Sequence, residues 1–177
     1  MGFLAVIFLI LLFVLFLFSF RLKNDVKALN ARHEPKELKF GDGKKSALVV
    51  YQPTKHGAET ELTMALADCL AQNGYTVTVN YPSHELKYIL SEYDLLVFGS
   101  GVCLGRVSPI LSEYIMTHPF KNKKVLVYTV GRNAGDLTDL NELKILIDAQ
   151  NNEVHAIKVS KGQEADFIAF VRNLINN

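Results

Sequence analysis

The feature that most constrains the fold is an alternation of short apolar runs with amphipathic segments, which begins at Ser46 and continues to the C-terminus. Each run is rich in β-branched or aromatic residues and is bounded by Gly, Pro, Asn or Lys, as is typical of buried strands. Strands are therefore predicted at residues 46–51, 76–80, 95–99, 124–130 and 154–159.

Helices are predicted between these strands, at residues 59–73, 84–89, 108–117, 140–148 and 164–175. The first is the clearest, because Leu62, Leu66 and Cys69 share one face and Gly74 provides a stop signal. Strands that alternate with helices call for a parallel sheet covered on both faces. The predicted fold class is therefore α/β, with a doubly wound five-stranded parallel sheet.

A separate apolar segment precedes this domain. Residues 3–18 are all apolar, and the chain reaches Arg21 without a charge. Eighteen helical residues span about 27 Å, close to the roughly 30 Å of a bilayer's hydrocarbon layer. Residues 1–20 are therefore predicted to form a transmembrane anchor.

The charges around the anchor predict its orientation. No Lys or Arg precedes the apolar run, whereas Arg21, Lys23, Lys27 and Arg32 follow it. The positive-inside rule then predicts a single-pass protein of the cell membrane with a cytoplasmic C-terminal domain. A cleaved signal peptide is the competing interpretation, but it requires a basic start, a shorter apolar core and a small-residue cleavage site.

Residues 21–45 are interpreted as a basic juxtamembrane linker, with eight Lys or Arg against four Asp or Glu. Its apolar residues have helical spacing at first, so the membrane helix is expected to continue briefly and to break near Pro35. Residues 46–177 then form the folded domain. The basic linker fits lipid headgroups, whereas the near-neutral domain argues against a nucleic-acid partner.

The cysteines and histidines do not indicate a disulfide scaffold or a metal site. Cys69 and Cys103 are too far apart in sequence to indicate a disulfide scaffold or a zinc site, which suits a reducing compartment. The five histidines lack metal-ligand spacing, so no metal is predicted.

Ligands of doubly wound sheets lie beyond the carboxyl ends of the strands. Three loops leave those ends here, at residues 52–58, 100–107 and 131–139. The first leads from a strand into a helix N-terminus, an arrangement that favours an anion and above all a phosphate. There is no Walker loop and no G-x-G-x-x-G turn, and a receiver domain would need acidic residues where Ser46 and Tyr51 stand.

The sequences of these loops resemble the flavodoxin family. VVYQPTKHGAET (49–60) looks like its phosphate-binding loop, VFGSGVCLGRVSP (97–109) like the loop against the flavin ring, and YTVGRNAGD (128–136) like the loop on the ring's other side. The resemblance covers residues 46–177 and implies strand order 2-1-3-4-5 and a noncovalent FMN. In this resemblance Pro53 replaces a usual Ser or Thr, and Val102, Cys103 and Leu104 replace a ring-stacking aromatic residue.

The resemblance implies a set of cofactor-binding residues and no catalytic residue. They are Gln52, Pro53, Thr54, Lys55, His56, Gly57, Ala58, Glu59 and Thr60 in the first loop, Ser100, Gly101, Val102, Cys103, Leu104, Gly105 and Arg106 in the second, and Gly131, Arg132, Asn133, Ala134, Gly135 and Asp136 in the third. The charge of Arg106 would lower the pKa of the nearby Cys103 thiol, but a packing or structural role is favoured for Cys103 over a redox role, because no resolving cysteine is near in sequence.

The expected function is electron transfer by a membrane-anchored FMN protein, between a reductase and an acceptor at the cytoplasmic membrane face. The expected partners are the bilayer and either a redox protein or a quinone. Two alternatives stay open: a flavin-free interaction module tethered to the membrane, and an FMN-dependent oxidoreductase of the quinone or protoporphyrinogen type.

Overall fold

The computed structural model describes residues 2–55, 57–133, 135–148 and 151–176. In chain order its elements are α1 (Gly2–Leu29), β1 (Leu38–Phe40), β2 (Lys45–Gln52), α2 (Ala58–Gln72), β3 (Tyr75–Asn80), a 3-10 helix (Leu90–Glu92), β4 (Leu95–Gly101), α3 (Pro109–Thr117), β5 (Lys124–Val130), α4 (Thr138–Asp148), β6 (Glu153–Val159) and α5 (Glu164–Asn176).

The strands form one sheet in the order β1-β3-β2-β4-β5-β6. Strands β3, β2, β4, β5 and β6 are parallel to one another, and counted from β2 they have the order 2-1-3-4-5. The predicted fold class is confirmed. The sixth strand, β1, was not predicted; it pairs antiparallel with β3 at the sheet edge, with Leu38 opposite Val79.

Helices cover both faces of the sheet. Leu66 of α2 and Phe167 of α5 are fully buried on one face, and Leu111 of α3 and Leu143 of α4 on the other. The parallel strands are therefore buried on both sides, which explains why they appear in the sequence as continuous apolar runs. Loops at the carboxyl ends of these strands are held on a rigid support.

The predicted helix at residues 84–89 is wrong, because the structure has only the short 3-10 helix at Leu90–Glu92 in this region. The hydroxyl of Tyr88 accepts from Asn80 Nδ2 (2.9 Å) and donates to Glu37 Oε2 (2.6 Å). Leu86 and Leu90 are buried. Contacts with distant residues thus hold this segment in a non-helical path.

Helix α1 continues nine residues past the predicted anchor and ends at Leu29, before Pro35. By length and composition, Phe3–Leu29 is a candidate membrane span, although a signal sequence would have the same features. The residues after α1, interpreted above as a linker, run along the domain and supply β1.

Candidate functional site

A strap formed by residues 29–37 crosses the carboxyl edge of the sheet. The hydroxyl of Ser108, the N-cap residue of α3, donates to the carbonyl of Leu29 (3.0 Å). The Gln52 amide, at the end of β2, donates to the carbonyl of Ala31 (2.8 Å). Gln52 is fully buried, and its Oε1 has no hydrogen-bond partner within the described chain. The strap therefore begins beside the first two candidate loops.

The strap then reaches the end of β3. The backbone N–H of Lys36 donates to Asn80 Oδ1 (2.7 Å), and the His33 ring packs against Tyr81 with 5.2 Å between centroids. Arg32 forms an exposed ion pair with Glu113 (3.1 Å). The strap thus contacts residues that follow β4, β2 and β3 in turn, which fixes helix α1 against this edge.

The first loop closes around a carboxylate. The Thr54 hydroxyl donates to Glu59 Oε2 (2.6 Å), and Glu59, in the first turn of α2, is only 4% exposed. Gly57 enters the helix with φ 71°, which strains any L-residue. The first helical hydrogen bond runs from Glu61 N–H to Gly57 O, so the N–H groups of residues 58–60 have no acceptor within the helix.

The second loop lies directly against the first. A Cβ atom on Gly101 would lie 2.3 Å from Glu59 Oε1 and 2.4 Å from Thr54 Cγ2. Only glycine permits this approach. Ser100, fully buried, donates to the Gly101 carbonyl (2.8 Å) and accepts from the Ser108 N–H (3.0 Å), so the base of the loop is fixed.

The rest of the second loop is a tight hairpin. Cys103 and Arg106 exchange two backbone hydrogen bonds, and Leu104 (φ 54°) and Gly105 (φ 71°) form its turn. Positive φ at both central residues defines a type I′ turn, where Asn-Gly is usual and leucine is uncommon. Leu104 at the tip is 70% exposed.

Cys103 is not an activated thiol. Burial raises its pKa, the carboxylate of Asp25 on helix α1 raises it further, and Arg132 opposes these effects. Arg106 is not among the causes of the shift, and the direction is opposite to the one that a nearby arginine would produce. The raised pKa favours a packing role for Cys103 over a redox role.

The third loop is held by its own turn and by a buried lysine. Asp136 accepts from the N–H (3.1 Å) and hydroxyl (2.8 Å) of Thr138, and these hydrogen bonds lower its pKa. Lys158 of β6 donates to the Asp136 carbonyl and to Asp139 Oδ1 (2.7 Å). Both side chains of the Lys158–Asp139 pair are at most 3% exposed.

The third loop also contacts the second. Val102 N–H donates to Val130 O (2.9 Å), and a Cβ on Gly131 would lie 3.4 Å from Val102 Cβ. The three predicted loops therefore meet at one edge. Two of their predicted residues, His56 and Ala134, lie outside the described residues, and three basic ones are exposed side chains: Lys55, Arg106 and Arg132.

Sequence reasoning missed the residues that shape this edge from a distance. Ser108, Asp139 and Lys158 had no assigned role, because nothing in the local sequence distinguishes them from ordinary cap or surface residues. The strap was also missed. The Gly-rich composition of the loops was the usable signal, and it identified the loops but not their supports.

Comparison with known proteins places the fold. No protein family and no curated protein matches the sequence. Solved structures do match: a short-chain flavodoxin associated with a non-canonical PDU bacterial microcompartment has 16% identity and a TM-score of 0.61, over 75% of this chain and 97% of that one. A flavodoxin from Streptococcus pneumonia TIGR4 has 14% identity and a TM-score of 0.60, over 74% and 98%.

Part of a larger protein has a similar fold. Rubredoxin oxygen:oxidoreductase from Desulfovibrio gigas matches with 15% identity and a TM-score of 0.62, over 76% of this chain. The present chain spans 36% of that protein's length. The domain therefore has a flavodoxin-like fold, with an apolar N-terminal helix added in front of it.

Proposed function

We propose that this chain is a membrane-anchored, flavodoxin-like FMN protein that carries electrons between a reductase and an acceptor at the cytoplasmic membrane face. The observation that carries the proposal is the meeting of three loops at the carboxyl edge of β2, β4 and β5, where this type of sheet binds ligands. When bound, FMN would supply the one-electron and hydride chemistry that side chains lack.

The first loop offers donors for the FMN phosphate. The N–H groups in the first turn of α2 that have no acceptor within the helix, the hydroxyl of Thr54 and the exposed ammonium of Lys55 all favour an anion. Pro53 removes one backbone N–H from this set. Val102, at the base of the second loop, would provide apolar contact for the flavin ring.

Glu59 sets a condition on this fit. Its carboxylate takes the Thr54 hydroxyl and lies at the helix N-terminus, where a phosphate would lie. Two anions in one partly buried site repel each other. The donors therefore fit a phosphate only when the Glu59 side chain turns away, and we expect Glu59 to weaken FMN binding.

The test is FMN titration of the full chain in detergent micelles or nanodiscs, followed by the quenching of flavin fluorescence. We expect uptake at micromolar FMN, and Glu59→Gln should bind about tenfold more tightly because the repulsion is lost while the shape is kept. Glu61→Gln, two residues after Glu59 in the first turn of α2, is the control and should bind like the parent. No uptake by either the parent or Glu59→Gln would exclude this proposal.

The same carboxylate favours a second candidate function. A loop that already holds its own anion suits a flavin-free module that is tethered to a membrane and acts by binding a partner. Colourless protein in both titrations would support that candidate. If FMN binds, sustained turnover of a quinone with NADH or NADPH and no added reductase would instead indicate an oxidoreductase.

A further inference from the structure

The domain begins to cover helix α1 directly after its apolar part. Residues 3–20 are exposed along the helix, whereas Leu22, Asn24, Asp25 and Val26 are partly covered and Leu29 is buried. The cover comes from the carboxyl edge, through the Ser108–Leu29 hydrogen bond. This edge is therefore the part of the domain nearest to the apolar segment.

The hairpin of the second loop lies close to the end of α1, because Ser108, two residues after Arg106, donates to the Leu29 carbonyl. Cys103 lies near enough to the Asp25 carboxylate for that charge to affect its pKa. Asp25 is five residues beyond Phe20, which corresponds to about 8 Å along a helix. The headgroup layer of a bilayer is about 5–8 Å thick on each side, so Asp25, whose charge acts on the hairpin's Cys103, lies at about the outer limit of that layer.

The side chains at this edge suit a lipid surface. Leu104 projects from the hairpin tip with 70% exposure, in a backbone conformation that costs a leucine free energy. Exposed basic residues lie on the three loops and on α1: Lys55, Arg106, Arg132, Arg21, Lys23 and Lys27. Apolar and basic side chains together favour an interface rich in anionic lipid.

We propose that the carboxyl edge of the sheet rests on the anionic surface of the bilayer, with Leu104 inserted in the interfacial layer. The proposal depends on the membrane anchoring proposed above. Its consequence is that the three loops face the lipid, so a ligand or electron acceptor of this site is reached from the membrane side.

The experiment uses a fluorescent reporter at the hairpin tip. The chain has no tryptophan, so Leu104→Trp gives the full-length protein a single indole. Ile145→Trp is the matched control, because Ile145 on α4 is also 70% exposed but lies away from the carboxyl edge. Both variants are reconstituted in phosphatidylcholine–phosphatidylglycerol vesicles, with and without lipids brominated in their acyl chains.

We expect brominated lipid to quench the Leu104→Trp indole several times more strongly than the Ile145→Trp indole, with emission shifted to shorter wavelength. Equal quenching in protein that resists alkaline extraction would overturn the docked edge while leaving the anchor intact. Protein that alkaline carbonate extracts from the vesicles would overturn the anchoring, and with it this inference.

Charge variants test the electrostatic part. In the Leu104→Trp background, Arg106→Gln with Arg132→Gln should reduce quenching in anionic vesicles and bring it close to the level at high salt. Lys121→Gln, at the opposite edge before β5, should leave quenching unchanged. If the double variant keeps full, salt-independent quenching, the contribution of the basic residues is refuted.

Discussion

Lys158 and Asp139 are the residues on which the third loop depends most. Their ion pair is buried, and the ammonium also donates to the Asp136 carbonyl within the loop. Asp139 Oδ2 has no hydrogen-bond partner among the described residues. Loss of the lysine would therefore leave a buried carboxylate without its compensating charge, which is among the costliest single changes in a protein.

The change Lys158→Met should lower the free energy of unfolding by about 3–5 kcal/mol, because it keeps the volume and removes the charge. The measurement is denaturant unfolding of the full chain in detergent micelles, followed by circular dichroism. Lys161→Met is the control; this neighbouring lysine is exposed and should cost less than about 0.5 kcal/mol. Equal effects of the two variants would contradict the structural role assigned to the pair.

The sequence often assigned a residue to a candidate loop without indicating what its side chain does there. Glu59 stood within the predicted phosphate loop, yet only the structure places its carboxylate on Thr54 and beneath Gly101. A glutamate in the first turn of a helix can adopt several rotamers. Contacts with backbone that is distant in the sequence select one of them. Likewise, nothing near Cys103 in the sequence indicates that the charge of Asp25 raises the pKa of its thiol.

At the scale of elements, the strap joins a membrane-type helix to a globular sheet. Side chains that follow three strands hold it: Ser108, Gln52 and Asn80. Their partners are backbone groups, so the contacts do not depend on which side chains the strap carries. The strap therefore gives α1 a defined position relative to the three loops.

Gln52→Met should release part of the strap, because it removes the donor to the Ala31 carbonyl while keeping the buried side chain's size. We expect trypsin to cleave after Arg32 and Lys36 several times faster than in the parent, at a stability cost of about 1 kcal/mol. Limited proteolysis with mass spectrometry measures the cleavage rate at each site.

Ser112→Ala is the matched control for this experiment. The Ser112 hydroxyl donates to the Ser108 carbonyl at the start of α3 (3.3 Å). This hydrogen bond does not involve the strap. Cleavage after Arg32 should match the parent in this variant. Unchanged cleavage in Gln52→Met as well would mean that Ala31 is held by other contacts.

Periodicity predicted the long elements well. The five parallel strands and the helices α2, α3, α4 and α5 lie within one or two residues of their predicted ends. It failed where length was short or local signals were weak. Strand β1 has three residues and exists because β3 offers it an edge, and residues 84–89 follow the hydrogen bonds of Tyr88 rather than their own pattern.

At the scale of the whole molecule, buried tyrosines link stability to pH. Burial raises the pKa of Tyr51 to about 12, and burial together with the Glu37 hydrogen bond raises that of Tyr88 to about 12. Burial also raises the pKa of Tyr114 and Tyr128. In the unfolded chain tyrosine titrates near pH 10, so above that pH the unfolded state is stabilised by ionisation while the folded state resists it.

The ionisation of these tyrosines should therefore leave the free energy of unfolding unchanged below about pH 10 and should lower it steadily between about pH 10 and 12. Tyrosinate absorbance and circular dichroism, recorded on the same samples, measure ionisation and folding together. Tyr51→Phe, which cannot ionise, should show a shallower fall. An identical fall in Tyr51→Phe and in the parent would contradict the contribution of Tyr51.

The sequence by itself determined the anchor-like helix, the doubly wound parallel sheet and the three loops at its carboxyl edge, because periodicity and loop composition are local properties. Only the tertiary structure decided that the juxtamembrane segment is a strap, that the Glu59 carboxylate closes the first loop and that a buried lysine supports the third loop. Those features join residues that lie far apart in the chain. Their energies come from burial and hydrogen bonding, which exist only once the sheet has formed.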